Sequence, residues 1–209
     1  AILRAFVLML FTAELWQNFA VTALEVLGAL LVGGGLGLAV GLAIGASRFL
    51  ARAYEPFVHY AAPTPKIVFL PVLMVAFGVG PGSKLALGAV SAFFPMALSV
   101  AAGVRGVDRV LLRVGTSFRL TPWQMVRMIY LPALIAPVSV GLRLAFGLAM
   151  VGCLLAEIAL SNRGLGYLAA QDYAHYQIPH MYAVLLALFV LAAAGNALIV
   201  RLVRPRGVS

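Results

Sequence analysis

The chain has 209 residues, of which 64% are hydrophobic and only 10% charged, with a formal net charge of +9. A soluble domain carries about 25% charged residues, and the mean hydropathy here is +1.06. That excludes a soluble globular fold and predicts an all-α polytopic membrane protein; the positive charge falls in gaps between apolar runs, as the positive-inside rule expects, so no nucleic-acid partner is implied.

Residues 1–19 contain an apolar stretch too short to span, since a spanning helix needs ~20 residues. We expect an amphipathic helix lying at one membrane face, with Trp16 at the interface. No cleavable signal peptide is visible before the polar Glu14–Asn18 patch. The first span is expected at about 24–46. Gly33, Gly37, Gly41 and Gly45 recur there every fourth residue and stack on one helix face. Small residues at that spacing admit a second helix at close range, a packing seam within this chain or in a dimer.

Arg48 and Arg52 mark a charged gap. The next span, at about 66–80, is punctuated by Pro63, Pro65 and Pro71, with Lys66 and Phe69 among them. Proline breaks or kinks helices, and in lipid such breaks persist only beside protein or a watery cavity. Residues 63–71 are therefore either a pore-lining segment or a simple kink between an interfacial and a spanning helix. Gly78–Gly82 reads as a tight turn. The third span, about 84–104, carries Phe94 and Pro95, and we expect Pro95 to kink it near its middle.

Residues 105–131 form the longest polar interruption. Val110, Leu111, Val114 and Phe118 share one helical face, opposite Arg109, Arg113 and Thr116. Thr121-Pro122-Trp123-Gln124 has the form of a capping box with proline at the first helical position. Two short helices joined by a turn near Arg119-Leu120 are expected, the second ending at Leu131-Pro132.

A fourth span is expected over about 132–157. Arg143 lies about 16 Å along it and needs a partner, a watery cavity or a snorkelling route. Glu157 closes it beside Arg163, with which a local pair is expected, a gate at the mouth being the alternative. Residues 165–176 are expected as a short surface helix with an aromatic belt, or a contact for a delivery protein, before a last span at about 178–200. The single cysteine, Cys153, sits in an apolar run and allows no intrachain disulfide and no metal cluster. On alternate loops, eleven of the fifteen basic residues fall on one side, which assigns 105–131 and the C-terminus to the cytoplasm. Five spans then begin outside, so a sixth, N-terminal helix is expected to precede them.

The stretch around Trp123-Gln124, Leu131-Pro132-Ala133 and Gly141-Leu142-Arg143 resembles the cytoplasmic loop and following helix of permease subunits of ATP-binding-cassette importers, within them the nitrate/sulfonate/taurine/bicarbonate group. Pro63, Pro71, Phe77-Gly78-Val79-Gly80, Phe93-Phe94-Pro95, Ala156-Glu157 and Gly164-Leu165-Gly166 extend the likeness over nearly the whole chain. The resemblance implies one permease domain over 1–209 of the type I importer fold, in a bacterial inner membrane. It implies ATPase coupling through Arg113, Val114, Gly115, Ser117, Phe118, Arg119, Leu120, Thr121, Pro122, Trp123 and Gln124. It also implies two cytoplasmic ATPase subunits, a second permease copy of the same or a related chain, and an extracytoplasmic solute-binding protein. The chain departs where the family has Glu-Ala-Ala (here Arg113-Val114-Gly115) and where it has the loop glycine (here Arg119). We expect a translocation pathway along Pro63, Pro65, Phe69, Pro71, Phe94, Pro95, Arg143 and Glu157, for a small anion or organic sulfonate.

The chain has no GxxxxGK[ST] loop, so ATP and Mg belong to the partner ATPase, and no catalytic or metal site is expected here. The competing readings are an ion-coupled secondary transporter, a membrane-embedded enzyme and, within the family, an importer of a vitamin precursor or aromatic compound. No Asp or Glu is read inside a span except terminal Glu157, which argues against ion coupling.

Overall fold

The computed structural model describes residues 2–203. Nine helical segments follow one another: α1 Ile2–Met9, α2 Ala13–Ala46, α3 Arg48–Ala61, α4 Lys66–Phe77, α5 Pro81–Arg105, α6 Arg109–Ser117, α7 Pro122–Leu160, α8 Leu165–Ala174 and α9 Ile178–Val203. Four of them (α2, α5, α7 and α9) are long and apolar enough to cross a membrane, or five spans if the bent pair α3–α4 counts as one.

α5 is the hub. It packs on α2 along one side and on α7 along the other. The glycine stripe makes the first contact possible. A Cβ on Gly37 would lie 2.5 Å from the Phe93 carbonyl oxygen, and one on Gly41 would lie 2.6 Å from that of Ala97. Gly33 sits closer still, on the backbone of Ala89, and Gly45 faces Val104. The seam is thus internal to this chain. On the opposite side Gly152 approaches the backbone of Gly88 in the same manner. Ala29, Ala92, Val100, Ala145, Ala149 and Cys153 fill the core between the three helices. Small residues let backbones approach, and dispersion between close helices replaces the hydrophobic effect that lipid cannot supply.

Several boundaries differ from expectation. The interfacial helix stops at Met9, because Thr12 turns the chain and its hydroxyl donates to the Met9 carbonyl at 2.7 Å. The polar patch after it does not interrupt α2, whose first turns pack with α8 and α9. The span expected at 66–80 is only Lys66–Phe77, too short to cross by itself, and it meets α3 at 93°. Pro95 leaves α5 unbroken. The second loop helix does not end at Leu131-Pro132 but runs on as α7, through a widened turn at Val126–Tyr130. Proline crowds the carbonyl one turn back and offers it no N–H, so a loosened turn just before Pro132 relieves the conflict.

Candidate functional site

The loop between α5 and α7 is held by three local devices. Asp108 caps α6, its carboxylate accepting from the Val110 N–H at 2.8 Å. At the other end the Arg119 N–H donates to the Thr116 carbonyl and the Leu120 N–H to that of Gly115, each at 3.0 Å. That pair of bonds is the Schellman arrangement, which requires a left-handed residue after the cap. Arg119 is that residue, with φ of +50°. The resemblance placed a glycine at this position, and the backbone shows the physical reason for one. Thr121 then accepts from the Gln124 N–H, while the Gln124 side chain accepts from the Thr121 N–H at 2.8 Å, completing the capping box.

Gly115 fixes how the two helices meet. It is buried, and a Cβ there would lie 2.8 Å from both Ile129 Cδ1 and Met125 Sδ. The loop also carries a set of uncovered apolar side chains. Val110, Leu111, Val114, Phe118, Trp123 and Val126 are all exposed, Phe118 by 78% and Trp123 by 70%. Arg113 and Ser117 are exposed with them. A left-handed arginine costs about 1–2 kcal/mol over glycine. Arg119→Gly is therefore expected to slow amide exchange at residues 119 and 120 by severalfold and to leave transport intact. A severe loss of transport would mean that the Arg119 side chain makes a required contact.

The residues expected along the pathway divide into groups. Pro63 and Pro65 line a cavity of about 290 Å³ with Lys66, Ser91, Leu148 and Gly152. Phe94 lines a second, almost wholly apolar cavity of about 580 Å³. Phe69, Pro71 and Pro95 face neither, and Arg143 is exposed on α7, its guanidinium reaching only Ser139 of its own helix. Lys66 lies at the break between α3 and α4, with its ammonium on the Ala61 and Ala62 carbonyls and 4.8 Å from the Phe94 ring centre. Of the eleven basic residues counted on one side, Lys66 is the one that lines this cavity, and the other ten are arginines. Arg204 and Arg206, two of the ten, lie outside the described residues.

Glu157 departs most from expectation. It does not pair with Arg163. Its carboxylate is wholly buried, accepting from the Thr22 hydroxyl at 2.7 Å and the Gly166 N–H at 2.6 Å. The Leu165 N–H donates to Thr22 Oγ1 at 2.8 Å, and the Gly164 N–H to Asn18 Oδ1 at 2.7 Å. Gly164, at φ +106°, bends the chain directly over this carboxylate. Glu157 therefore ties the loop before α8 to α2 and α7. Removing it leaves two buried donors, the Thr22 hydroxyl and the Gly166 N–H, unmet, at about 1–3 kcal/mol for each. Glu157→Ala is expected to lower the melting temperature by about 5–10 °C, whereas Glu157→Gln, keeping an acceptor oxygen, should lose less than half of that.

Sequence reasoning missed Glu25. It lies inside α2, is 4% exposed, and neither carboxylate oxygen has a hydrogen-bond partner among the described residues. Glu157 and the buried Lys84 stand beside it, and Lys84 donates to the Val79 and Gly80 carbonyls. The signal was present: Asn18, Thr22 and Glu25 follow the i, i+4, i+7 spacing of one helix face. A span thus does hold an acid, and that argument against ion coupling fails. On α8, Asp172 is buried and bonded to His180 at 2.6 Å, while Tyr173 and, just past the helix, Tyr176 are exposed.

Comparison with known proteins supplies the rest. Residues 33–205 match the family described as binding-protein-dependent transport system inner membrane component. The chain is 31% identical over 156 residues to the taurine transport system permease protein TauC of Escherichia coli, covering 75% of this chain and 57% of that protein. It is 33% identical over 174 residues to a probable ABC transporter permease protein of Haemophilus influenzae, covering 83% and 71%. A putative aliphatic sulfonates transport permease protein, SsuC of Bacillus subtilis, is 29% identical over 160 residues, covering 77% and 58%. The chain thus spans less than two thirds of the length of TauC and of the Bacillus subtilis permease.

Proposed function

Because the chain belongs to the family of inner-membrane components of binding-protein-dependent transport systems, we propose that it forms half of the pathway of an ATP-driven importer and takes its motion from a cytoplasmic ATPase gripping the 108–131 loop. The observation that carries this reading is the bare apolar surface around Phe118 and Trp123, set on a loop whose turn is locked by a Schellman motif and a capping box. A rigid surface with no partner of its own suits a groove in another protein. The ten arginines counted on that side support a cytoplasmic position for it and for the C-terminus.

The mechanism is mechanical. The loop leads into α7 without an intervening linker, so Pro122–Leu160 is one lever of about 58 Å at 1.5 Å per residue. ATP binding draws two ATPase subunits together, and each carries the attached end of α7 with it. The widened turn at Val126–Tyr130 is where the lever yields. α5, clasped to α7 and α2 by its glycine seams, moves as part of the same body. The broken α3–α4 segment opens and closes beside it. Two copies of the chain, or this chain and a related one, enclose the pathway, and a binding protein delivers solute to the far side.

The solute is a small anion, an organic sulfonate by the likeness to the taurine and sulfonate permeases. Affinity capture of the permease from membranes should bring down an ATP-binding-cassette ATPase, and uptake should stop when ATP hydrolysis is blocked. Uptake that follows an ion gradient and persists without ATP would overturn the reading.

A further inference from the structure

The charges inside the membrane zone are sorted. The two buried acids of the long spans, Glu25 and Glu157, are enclosed with Lys84 at the end of the bundle remote from the loop, while Glu14 in the first turn of α2 is exposed. Glu55 on α3 is taken by the Arg105 guanidinium. The cations Lys66 and Arg143, by contrast, keep partial access to the chain's surroundings, and no acid lies within ion-pair distance of either among the described residues. Lys66 borders the 290 Å³ cavity at the break between α3 and α4.

That cavity is built to be wet. The four residues between Ala61 and Lys66 follow no helix, and backbone at membrane depth persists only where protein or water satisfies it. Pro95 offers no N–H to the carbonyl of Ser91, which lines the same cavity. Its depth follows from its other wall: Leu148 and Gly152 lie well inside α7, and Ser91 lies near the middle of α5. Only two of the three ammonium donors are committed, both to carbonyls at the end of α3, and the Phe94 face steadies the rest of the group. A lysine held this way is pre-positioned and one donor short of saturation.

We propose that the cavity around Lys66, Thr64 and Ser91 is an anion-holding station inside the pathway, with the Lys66 ammonium as the group that receives a sulfonate- or carboxylate-sized anion. The proposal rests on the permease reading and adds the residue and the place. An unpaired ammonium at this depth raises the local concentration of anions and lowers that of cations, whatever drives the transport. Its two carbonyl bonds keep it from snorkelling out of the cavity.

The test uses the full chain in native membrane vesicles. Thr64→Cys places a thiol on the cavity wall; Cys153 is buried and stays silent. Reaction rates are compared for two methanethiosulfonate probes, one bearing an ethylsulfonate and one an ethyltrimethylammonium. With Lys66 present the sulfonate probe should react faster, relative to the cationic one, by about tenfold over the same thiol in a Lys66→Met background. Lys66→Arg should keep the preference. A thiol that neither probe reaches, or a preference unchanged by Lys66→Met in protein that still captures its ATPase, would overturn the proposal. The measurement needs no ATP and no cognate solute. Failure of ATPase capture would count against the importer reading and leave the charge preference standing.

Discussion

Phe118→Asp is expected to abolish ATP-driven uptake while the protein still inserts and folds. The side chain is 78% exposed and lies at the cap of α6, so its replacement removes nothing from the interior. The fold itself should change by less than about 0.5 kcal/mol, as for a surface site away from special features. Docking is another matter. An aromatic anchor of this kind carries about 2–4 kcal/mol when buried in a partner's pocket, and a carboxylate there adds the cost of desolvating a charge. The affinity for the ATPase should fall by at least about thirtyfold. The permease should melt at its usual temperature, lose most of its captured ATPase and show no uptake. Trp123→Asp should behave likewise, because Trp123 is equally bare on the other side of the turn. Uptake at the normal rate in Phe118→Asp would show that force enters the permease elsewhere.

This loop is also where sequence and structure agree best, for a physical reason. Its architecture depends on neighbours in the chain: an aspartate at a helix start, a threonine and glutamine three apart, a left-handed turn at Arg119. Local chemistry of that kind is written in local sequence. The glycine stripe was equally visible, since a four-residue repeat has one geometric meaning, although only packing could show that its partner is α5 and not a second subunit. What escaped was set by distant partners. Glu157 was assigned to Arg163, six positions away, because proximity in the chain was the available guide. Its actual partner Thr22 lies 135 positions earlier. Lys66 was counted with the basic residues of one side, yet it lines the same cavity as Ser91, a residue of a distant helix. Pro95 and Pro132 show the converse. Pro95 was expected to kink its helix and Pro132 to begin a new one; both lie inside continuous helices, with one widened turn just before Pro132.

The other large effect is expected at Gly41→Val. A Cβ there would sit 2.6 Å from the Ala97 carbonyl oxygen and 2.9 Å from Val100 Cβ. The first of these is backbone in the middle of α5, which no rotamer change can move aside. Valine adds two methyl groups to that clash, so α2 and α5 must separate by more than an ångström along the seam. Separation there forfeits dispersion contacts along the whole stripe from Gly33 to Gly45, and in lipid no hydrophobic gain offsets the loss. Overpacking of ordinary cores costs about 1–3 kcal/mol, and a clash against backbone belongs at or beyond the upper end. The melting temperature of the purified complex should fall by roughly 6–12 °C, if the variant accumulates at all. Gly35→Ala is the matched control: it lies in the same helix, and a Cβ there meets nothing within 4 Å. That variant should melt within a degree or two of the parent, and slightly above it if alanine's better helix propensity is felt in the membrane. Equal stability of Gly41→Val and Gly35→Ala would mean that α2 and α5 are not in close contact, and the glycine seam would have to be sought in another interface. A large gap between them would place the rigid body that α7 drives on backbone-to-backbone contact, the one kind of packing that transmits a displacement without side chains giving way first.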